Sequence, residues 1–472
     1  NAAAMMLSQG ITWASTLLLI ATLPRTLGAS DYGKLQFAMA ITGMFTIFVD
    51  FGTATLVTRE VARNRDRAPA YLSNTLVLKI LTALVACAAV MATVRLMHRP
   101  PVVVHLVAIF SAGMVVVTTT NFLNSFLQAF EEIHFQAWGM VIEKVSKTAF
   151  VLALLFAGFR LVPVAWALLA GSSLNMLWAT AFVLRRIRPS LRLVSLGAMR
   201  DLVSASLPFF LFAVFAKIYD KIDVTMLAMM TSDQVVGWYT AAYRLFETLF
   251  FLPYIFSTVA FPVLSRLSAT DWEAYRRAVH RGFAILSTAA VGICVSLFLL
   301  AGPMVDLLYS GAEYPGTAPA LRILALALGC MYLNTIFVTV LITTDRQARW
   351  TRAGAAAAVV NPAVNYLLIP QFGHLGAAMT TVITEAMLMA LAFRACPPGV
   401  IGRPHARVLL RALLAGTLLA AGLLAGRPWG APASLALGVP LYVIAVLRLG
   451  ILSPADLSLI SDAFRARLGP KK

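Results

Sequence analysis

The stretch Lys217-Ile218-Tyr219-Asp220-Lys221-Ile222-Asp223 sets charges inside an otherwise apolar run from Leu207 to Met230. At a helical step of about 100° per residue, Lys217, Asp220, Lys221 and Asp223 fall on one side of a helix. Hydrocarbon penalises each of these groups, so that side belongs against protein or a water-filled interior. Two readings stay open. The charges are either internal ion pairs locking a buried helix, Lys217 with Asp220 and Lys221 at helical-neighbour spacing, or one polar wall of a transport cavity.

Composition fixes the medium. Of 472 residues, 60% are hydrophobic and 12% are charged, and the mean hydropathy is +0.83, far from the average of soluble domains. The sequence predicts an all-α polytopic membrane protein. Its net charge of +18 comes without a basic tract in a soluble fold, which argues against nucleic acid and points to topology and anionic headgroups. Cys87, Cys294, Cys330 and Cys396 lie in or beside apolar runs without paired spacing, so they read as core residues and no disulfide is expected. Residues Met5 to Leu23 run into Pro24-Arg25 without a small-residue cleavage site and are read as the first span rather than a leader.

Apolar runs of about 20 residues predict spans near 5–24, 35–57, 71–94, 102–124, 138–158, 162–184, 203–230, 236–262, 282–302, 318–343, 350–369, 374–393, 408–426 and 431–447, about fourteen helices. Pro163, Pro208, Pro253 and Pro362 fall in or at the start of spans, where neighbouring segments re-satisfy a kinked backbone. Basic residues concentrate in alternate loops. Arg25, Lys34, Arg95, Arg99, Arg160 and Arg427 occupy one set, whereas clusters such as Arg59, Arg63, Arg65 and Arg67, or Arg185, Arg186 and Arg188, occupy the other. Both termini are therefore expected on the cytoplasmic side of the membrane. The loop at Glu131-Glu132 is the exception, predicted inside yet lacking Lys and Arg.

An internal repeat organises the spans. Asn121-Phe122-Leu123-Asn124 with Gln136-Ala137-Trp138 is echoed by Met331-Tyr332-Leu333-Asn334 with Gln347-Ala348-Arg349-Trp350, at an offset of about 210 residues. Leu154-Leu155 with Phe159 matches Leu367-Leu368 with Phe372, and Ser30-Asp31 with Gly33 matches Ser232-Asp233 with Gly237. An even number of spans per copy gives two parallel six-helix lobes about an axis along the membrane normal. The expected division is residues 1–195, 196–400, and two extra helices with a tail over 401–472.

The residues Leu27-Gly28-Ala29-Ser30-Asp31-Tyr32-Gly33, Phe37-Ala38, Asp50-Phe51-Gly52 and Arg59-Glu60-Val61-Ala62-Arg63 resemble the opening signature of the polysaccharide transporter (Wzx-type, O-unit flippase) family. That family belongs to the multidrug/oligosaccharidyl-lipid/polysaccharide exporter superfamily. Asn361-Pro362 to Glu385, with Leu367-Leu368-Ile369-Pro370 and Gly376-Ala377-Ala378, is similar to the family's eleventh and twelfth spans. The resemblance implies two six-helix bundles forming a V-shaped cavity open to one side at a time. It further implies movement of a polyprenyl-diphosphate-linked oligosaccharide, an O-antigen or exopolysaccharide repeat unit, from the cytoplasmic to the outer leaflet.

Such a substrate demands cations at membrane depth for its diphosphate, a wet path for its glycan and lipid for its tail. The substrate-binding candidates are Lys217, Lys221 and Arg244 first, then Lys147, Lys144, Lys79 and Arg322. Arg244 offers a planar fork to phosphate oxygens, whereas lysine acts as a point charge. Each has a competing structural reading. Glu143 four residues before Lys147 and Glu247 three after Arg244 make neutralised pairs; Lys79 and Arg322 lie near span ends and are expected to snorkel. Arg25, Asp50, Arg59, Glu60, Asp220, Asp223 and Glu247 are the candidates for gating or ion coupling. Arg59 and Arg63 either gather anionic headgroups or pair with Glu60; Asp50 is protonated, capped by Thr53 or Thr55, or a coupling-ion site. Trp238, Tyr219, Tyr239 and Tyr243 either stack on sugars or belong to core and interface.

The scattered histidines have no metal-ligand spacing, and no phosphate-cradling glycine loop marks an ATPase. No cofactor and no catalytic residue is expected. The partners expected are the lipid-linked oligosaccharide, membrane lipids, H+ or Na+ as coupling ion, and glycan polymerase and export proteins. The competing functions are a drug or cation antiporter of the same superfamily, which calls for an acidic cavity, and a membrane glycan ligase or polymerase. The longest predicted outer loop, Gly302 to Thr317, offers the latter only Asp306 and Glu313.

Overall fold

The computed structural model describes the backbone of residues 2–452, and side chains from residue 10 onward except at 208, 211, 212, 215, 216 and 218–220. The side chains of Asp220 and Tyr219, and the basic residues Arg465, Arg467, Lys471 and Lys472, lie outside the described residues.

Regular structure among the described residues is helical throughout: α1 (Ala2–Asp50), α2 (Thr53–Arg63), α3 (Ala68–Leu96), α4 (Pro101–Ala129), α5 (Ile133–Phe156), α6 (Leu161–Arg186), α7 (Leu196–Met230), α8 (Asp233–Thr248), α9 (Phe251–Thr270), α10 (Trp272–Leu308), α11 (Thr317–Thr343), α12 (Gln347–Phe372), α13 (His374–Ala395), α14 (Arg403–Gly426) and α15 (Ala431–Arg448). Among the described residues, 11 segments are long and apolar enough to cross a membrane. The first runs 54 residues, Gly10–Arg63, enough for two crossings at about 1.5 Å per residue. Helices α5 and α7, at 24 and 35 residues, have the length but carry the charges singled out above. The chain is a multi-pass membrane protein with about the fourteen helices that hydropathy predicts.

The helix breaks differ from the expected loops for local reasons. The first two predicted spans are one helix, α1, bent at Gly28 (φ 77, ψ 164), a conformation that glycine reaches without a Cβ penalty. A one-residue break redirects the chain, so no loop forms at 25–34. The second span ends at Asp50, not 57, because Phe51 (φ 49) and Gly52 (φ 70) turn left-handed. Beyond them α2 is amphipathic, with Leu56, Val57 and Val61 buried and Arg59 and Arg63 outward. The predicted span 236–262 is split between α8 and α9, and α10 runs on to Leu308. The expected Gly302–Thr317 loop therefore shrinks, and the Trp238 indole donates to the Glu313 carbonyl at 2.9 Å across what is left.

Packing divides the chain into two units between Gly237 and Trp238. In the first, α1 packs on α3, α4, α5 and α7; α2 packs on α4 and α7; α5 pairs with α6, which packs on α4. In the second, α10 packs on α11, α12 pairs with α13, and α13 packs on α11. The set α4, α5, α6 and the set α11, α12, α13 thus share one pairing pattern, as the sequence repeat requires. Helix α7 packs on α1, α2 and α3, grouping with the helices before it, whereas the repeat begins its second copy at 196. The α14–α15 hairpin packs on α10 through small residues: a Cβ on Gly422 would lie 2.6 Å from the Cα of Gly438.

The acidic loop at Glu131-Glu132 is neutralised from other loops. Glu131 faces Arg65 at 3.9 Å and Glu132 pairs with Arg186. At this same end Asn74 accepts from the Ser195 N–H at 2.9 Å and donates to the Leu193 carbonyl at 2.8 Å, pinning the α6–α7 linker to α3. The Arg-rich loops of the first unit therefore share one end of the bundle.

Candidate functional site

Among the described residues, ionic groupings occupy several positions where hydropathy predicts membrane. The most enclosed joins Lys79 of α3 to Asp50 at the end of α1. The ammonium is 3.2 Å from Asp50 Oδ1 and 3.4 Å from the Val49 carbonyl, and it sits 5.5 Å from the centre of the Phe122 ring. Lys79 is 3% exposed, so it does not snorkel as expected: Asp50 supplies a countercharge inside the bundle. The Thr53 hydroxyl donates to the Asp50 main-chain carbonyl at 2.6 Å, capping the backbone rather than the carboxylate.

A second grouping sits on α5. Lys147 donates to Glu143 Oε1 at 2.6 Å, and Asn175 of α6 donates to Glu143 Oε2 at 2.6 Å. The carboxylate thus bridges the helix pair, and Lys147 makes the ion pair that helical spacing allows. Lys144 is half-buried on the same helix. A third grouping is Arg244 with Glu247 on α8 at 2.9 Å, side chains 33% and 24% exposed, again the pair that helical spacing allows. The fourth is on α7, where Lys217 and Lys221 are half-buried and Asp223 is buried. The Thr225 hydroxyl ties this segment to the Met44 sulfur of α1 at 3.2 Å.

Arg25 and Arg322 are exposed. Arg59 and Arg63 both reach Glu60, at 2.9 and 3.5 Å, and Arg59 lies 5.7 Å from the Phe209 ring centre of α7. A cavity of ≈470 Å³ opens beside them, lined by Arg59, Glu60, Arg67, Asn74 and Asp201. Tyr239 is fully buried, and the half-buried Trp238 donates its indole N–H to the Glu313 carbonyl.

Spacing along the sequence does not reveal the pair formed by Arg99. Arg99, from the turn between α3 and α4, donates to Asp233 Oδ1 at 2.5 Å and to the Ala228 carbonyl at 3.3 Å, with its guanidinium 4.5 Å from the Phe37 ring centre. It joins the α3–α4 turn to the α7–α8 turn at the end opposite the Arg-rich loops. In the second unit, α10, α14 and α15 enclose an apolar cavity of ≈810 Å³ lined by Leu252, Ile293, Leu300, Leu435, Val439 and Tyr442. These side chains offer lipid-like surface and almost no polar groups.

Residues 1–268 match the family model described as polysaccharide biosynthesis protein. The chain belongs to that family. Among its relatives, "Probable flippase AglR" of Haloferax volcanii is 28% identical over 232 residues, 48% of this chain and 48% of that protein, so the chain spans about half the length of this relative. "Putative O-antigen transporter" of Shigella dysenteriae is 21% identical over 376 residues, 78% of this chain and 91% of that protein. In fold, this family member is similar to lipid II flippase MurJ in an inward closed conformation, with a TM-score of 0.74 at 13% identity over 94% of this chain and 96% of that one. It is also similar to an inward-facing multidrug resistance MATE family transporter, with a TM-score of 0.64 at 16% identity over 88% and 95%.

For Asp50 and Lys79 the sequence held both partners, but on different helices, where spacing along one helix says nothing. Arg99 and Asp233 were legible only as loop charges. The usable signal was the repeat that places Asp233 in the position of Asp31, which pairs within its own turn with Lys34 at 2.8 Å.

Proposed function

We propose that this family member is a flippase that moves a polyprenyl-diphosphate-linked oligosaccharide from the cytoplasmic to the outer leaflet by alternating access. The observation that carries the reading is the half-buried Lys217 and Lys221 at the depth of a membrane-length helix, in a chain whose family and fold belong with glycan-lipid exporters. A lysine pair at that depth offers a diphosphate charge without covalent commitment, while the apolar cavity of α10, α14 and α15 supports a place for the lipid tail. Arg244, with its Glu247 partner, would compete for phosphate oxygens by exchanging one anion for another. The working lobes are residues 1–195 and 196–400, with 401–472 appended.

On this reading the Arg-rich end is cytoplasmic, in a bacterial inner membrane with both termini inside. Arg99–Asp233 closes the outer end and must part when the glycan leaves. The Lys79–Asp50 pair, a carboxylate beside a buried ammonium, is the site for coupling to H+ or Na+. Glycan polymerase and export proteins are the expected downstream partners.

In cells lacking the chromosomal copy, the wild type should restore surface glycan. Lys217→Ala with Lys221→Ala should not, although the protein is present in the membrane, and lipid-linked glycan should accumulate inside. Normal surface glycan from that double variant would overturn the role of α7. A drug-resistance phenotype with surface glycan unchanged would favour the antiporter reading, which the MATE-like fold keeps in view.

A further inference from the structure

Helix α4 carries a row of amides near its C-terminal end. Asn121, Asn124 and Gln128 recur at steps of three and four along one face of its final third. Opposite them on α2 stand Thr55 and Arg59, also one turn apart, and from α5 comes Gln136. Together they line a cavity of ≈460 Å³, within the range of about 300–1,000 Å³ typical of small-ligand pockets. Gln128 donates to Gln136 Oε1 at 3.0 Å and closes one wall. Asn124 is 5% exposed, and its Oδ1 has no donor. An amide oxygen held in that state inside a membrane helix is unfavourable unless water or a ligand completes it.

We infer that this pocket is a saccharide subsite, holding a sugar of the lipid-linked glycan by its hydroxyl groups. The inference rests on the flippase reading and deepens it. Its chemistry argues for sugar over the diphosphate. Arg59 is the single cation lining it and is already held by Glu60 at 2.9 Å, whereas a diphosphate calls for several cations. Among the described residues no carboxylate lines it, so it does not suit a cation. Amides and hydroxyls each donate and accept, which matches vicinal sugar hydroxyls that need both. A turn of the Asn124 amide toward the cavity lets a hydroxyl donate to its oxygen. The pocket lies at the Arg-rich end, between α2 and the α4–α5 turn, where a glycan entering from that side meets it early.

The test uses the full chain in nanodiscs and two lipids: the polyprenyl-diphosphate-linked oligosaccharide extracted from the source cells, and bare polyprenyl diphosphate. The wild type should bind the glycosylated lipid more tightly. Asn121→Leu with Gln128→Leu, both at exposed positions, should weaken the glycosylated lipid about tenfold, one or two hydrogen bonds' worth, and leave the bare lipid unchanged. Asn124→Leu should do the same, with thermal melting checked to confirm folding. Equal loss for both lipids, or no loss for the glycosylated one, overturns the saccharide subsite and leaves the flippase reading standing. Failure of the wild type to bind either lipid overturns both.

Discussion

Gly33 and Gly237 meet backbone to backbone: a Cβ built on Gly33 would lie 2.9 Å from the Gly237 nitrogen and would collide with the Asp233 carbonyl. The two glycines occupy matching places in the sequence repeat, Ser30-Asp31 with Gly33 and Ser232-Asp233 with Gly237. The repeat therefore closes on itself at this end, beside the Arg99–Asp233 pair.

Gly237→Leu should force this contact apart, since its Cβ already collides with the Ala29 carbonyl. Ala29 is 5% exposed in the closed contact. A cysteine placed there should react with a thiol reagent about tenfold faster when Gly237→Leu is present, a shift of roughly 1.4 kcal/mol in opening. Unchanged reactivity would mean that the glycine contact does not hold this end shut.

Removing the countercharge of Lys79 should be costly. Asp50→Asn leaves a 4%-exposed ammonium side chain without its anion and should destabilise the protein by about 3 kcal/mol. Asp50→Asn with Lys79→Met, which removes both charges, should regain most of that stability. Thermal melting in detergent reads the difference. A double variant as unstable as the single would show that the pair is not electrostatically coupled.

Arg99 and Asp233 should behave as a latch. Arg99→Ala or Asp233→Ala removes a charge-assisted hydrogen bond of roughly 2 kcal/mol and should favour opening at this end, measured as faster labelling of a cysteine at position 29. Asp233→Glu should keep the closed labelling rate if the ion pair is the cause, and should match the alanine variant if it is not.

The apolar cavity of α10, α14 and α15 should sense tail length. Gly292 lines it against Tyr442, whose hydroxyl donates to the Thr288 carbonyl at 2.7 Å. Ser296→Trp should fill part of it and slow transport of a long polyprenyl carrier severalfold, while a short-chain carrier is spared. Equal slowing for both would assign the cavity to packing.

Hydropathy and the repeat made most of the helical architecture legible, because a membrane helix must be long, apolar and internally hydrogen-bonded. The spacing of Glu143 and Lys147, and of Arg244 and Glu247, likewise gave their pairs away, since neighbours three or four apart share a helix face. What stayed hidden were contacts between helices. Lys79 finds Asp50 29 residues away, and Arg99 finds Asp233 134 residues away, distances at which one sequence carries no register. The breaks at Gly28 and at Phe51-Gly52 were hidden for another reason: each costs one or two residues, too few to interrupt an apolar window. Asn124 was visible as a repeat position, but its unpaired oxygen emerges only once α2, α4 and α5 are brought together.

The most direct measurement of the central claim is transbilayer movement in proteoliposomes. Purified protein is reconstituted with lipid-linked oligosaccharide from the source cells, and the fraction of glycan reached by an external lectin is followed with time. The account predicts that the wild type equilibrates the two leaflets, whereas Lys217→Ala with Lys221→Ala stays near the protein-free rate. Wild-type protein that moves no glycan-lipid under any imposed H+ or Na+ gradient would contradict it.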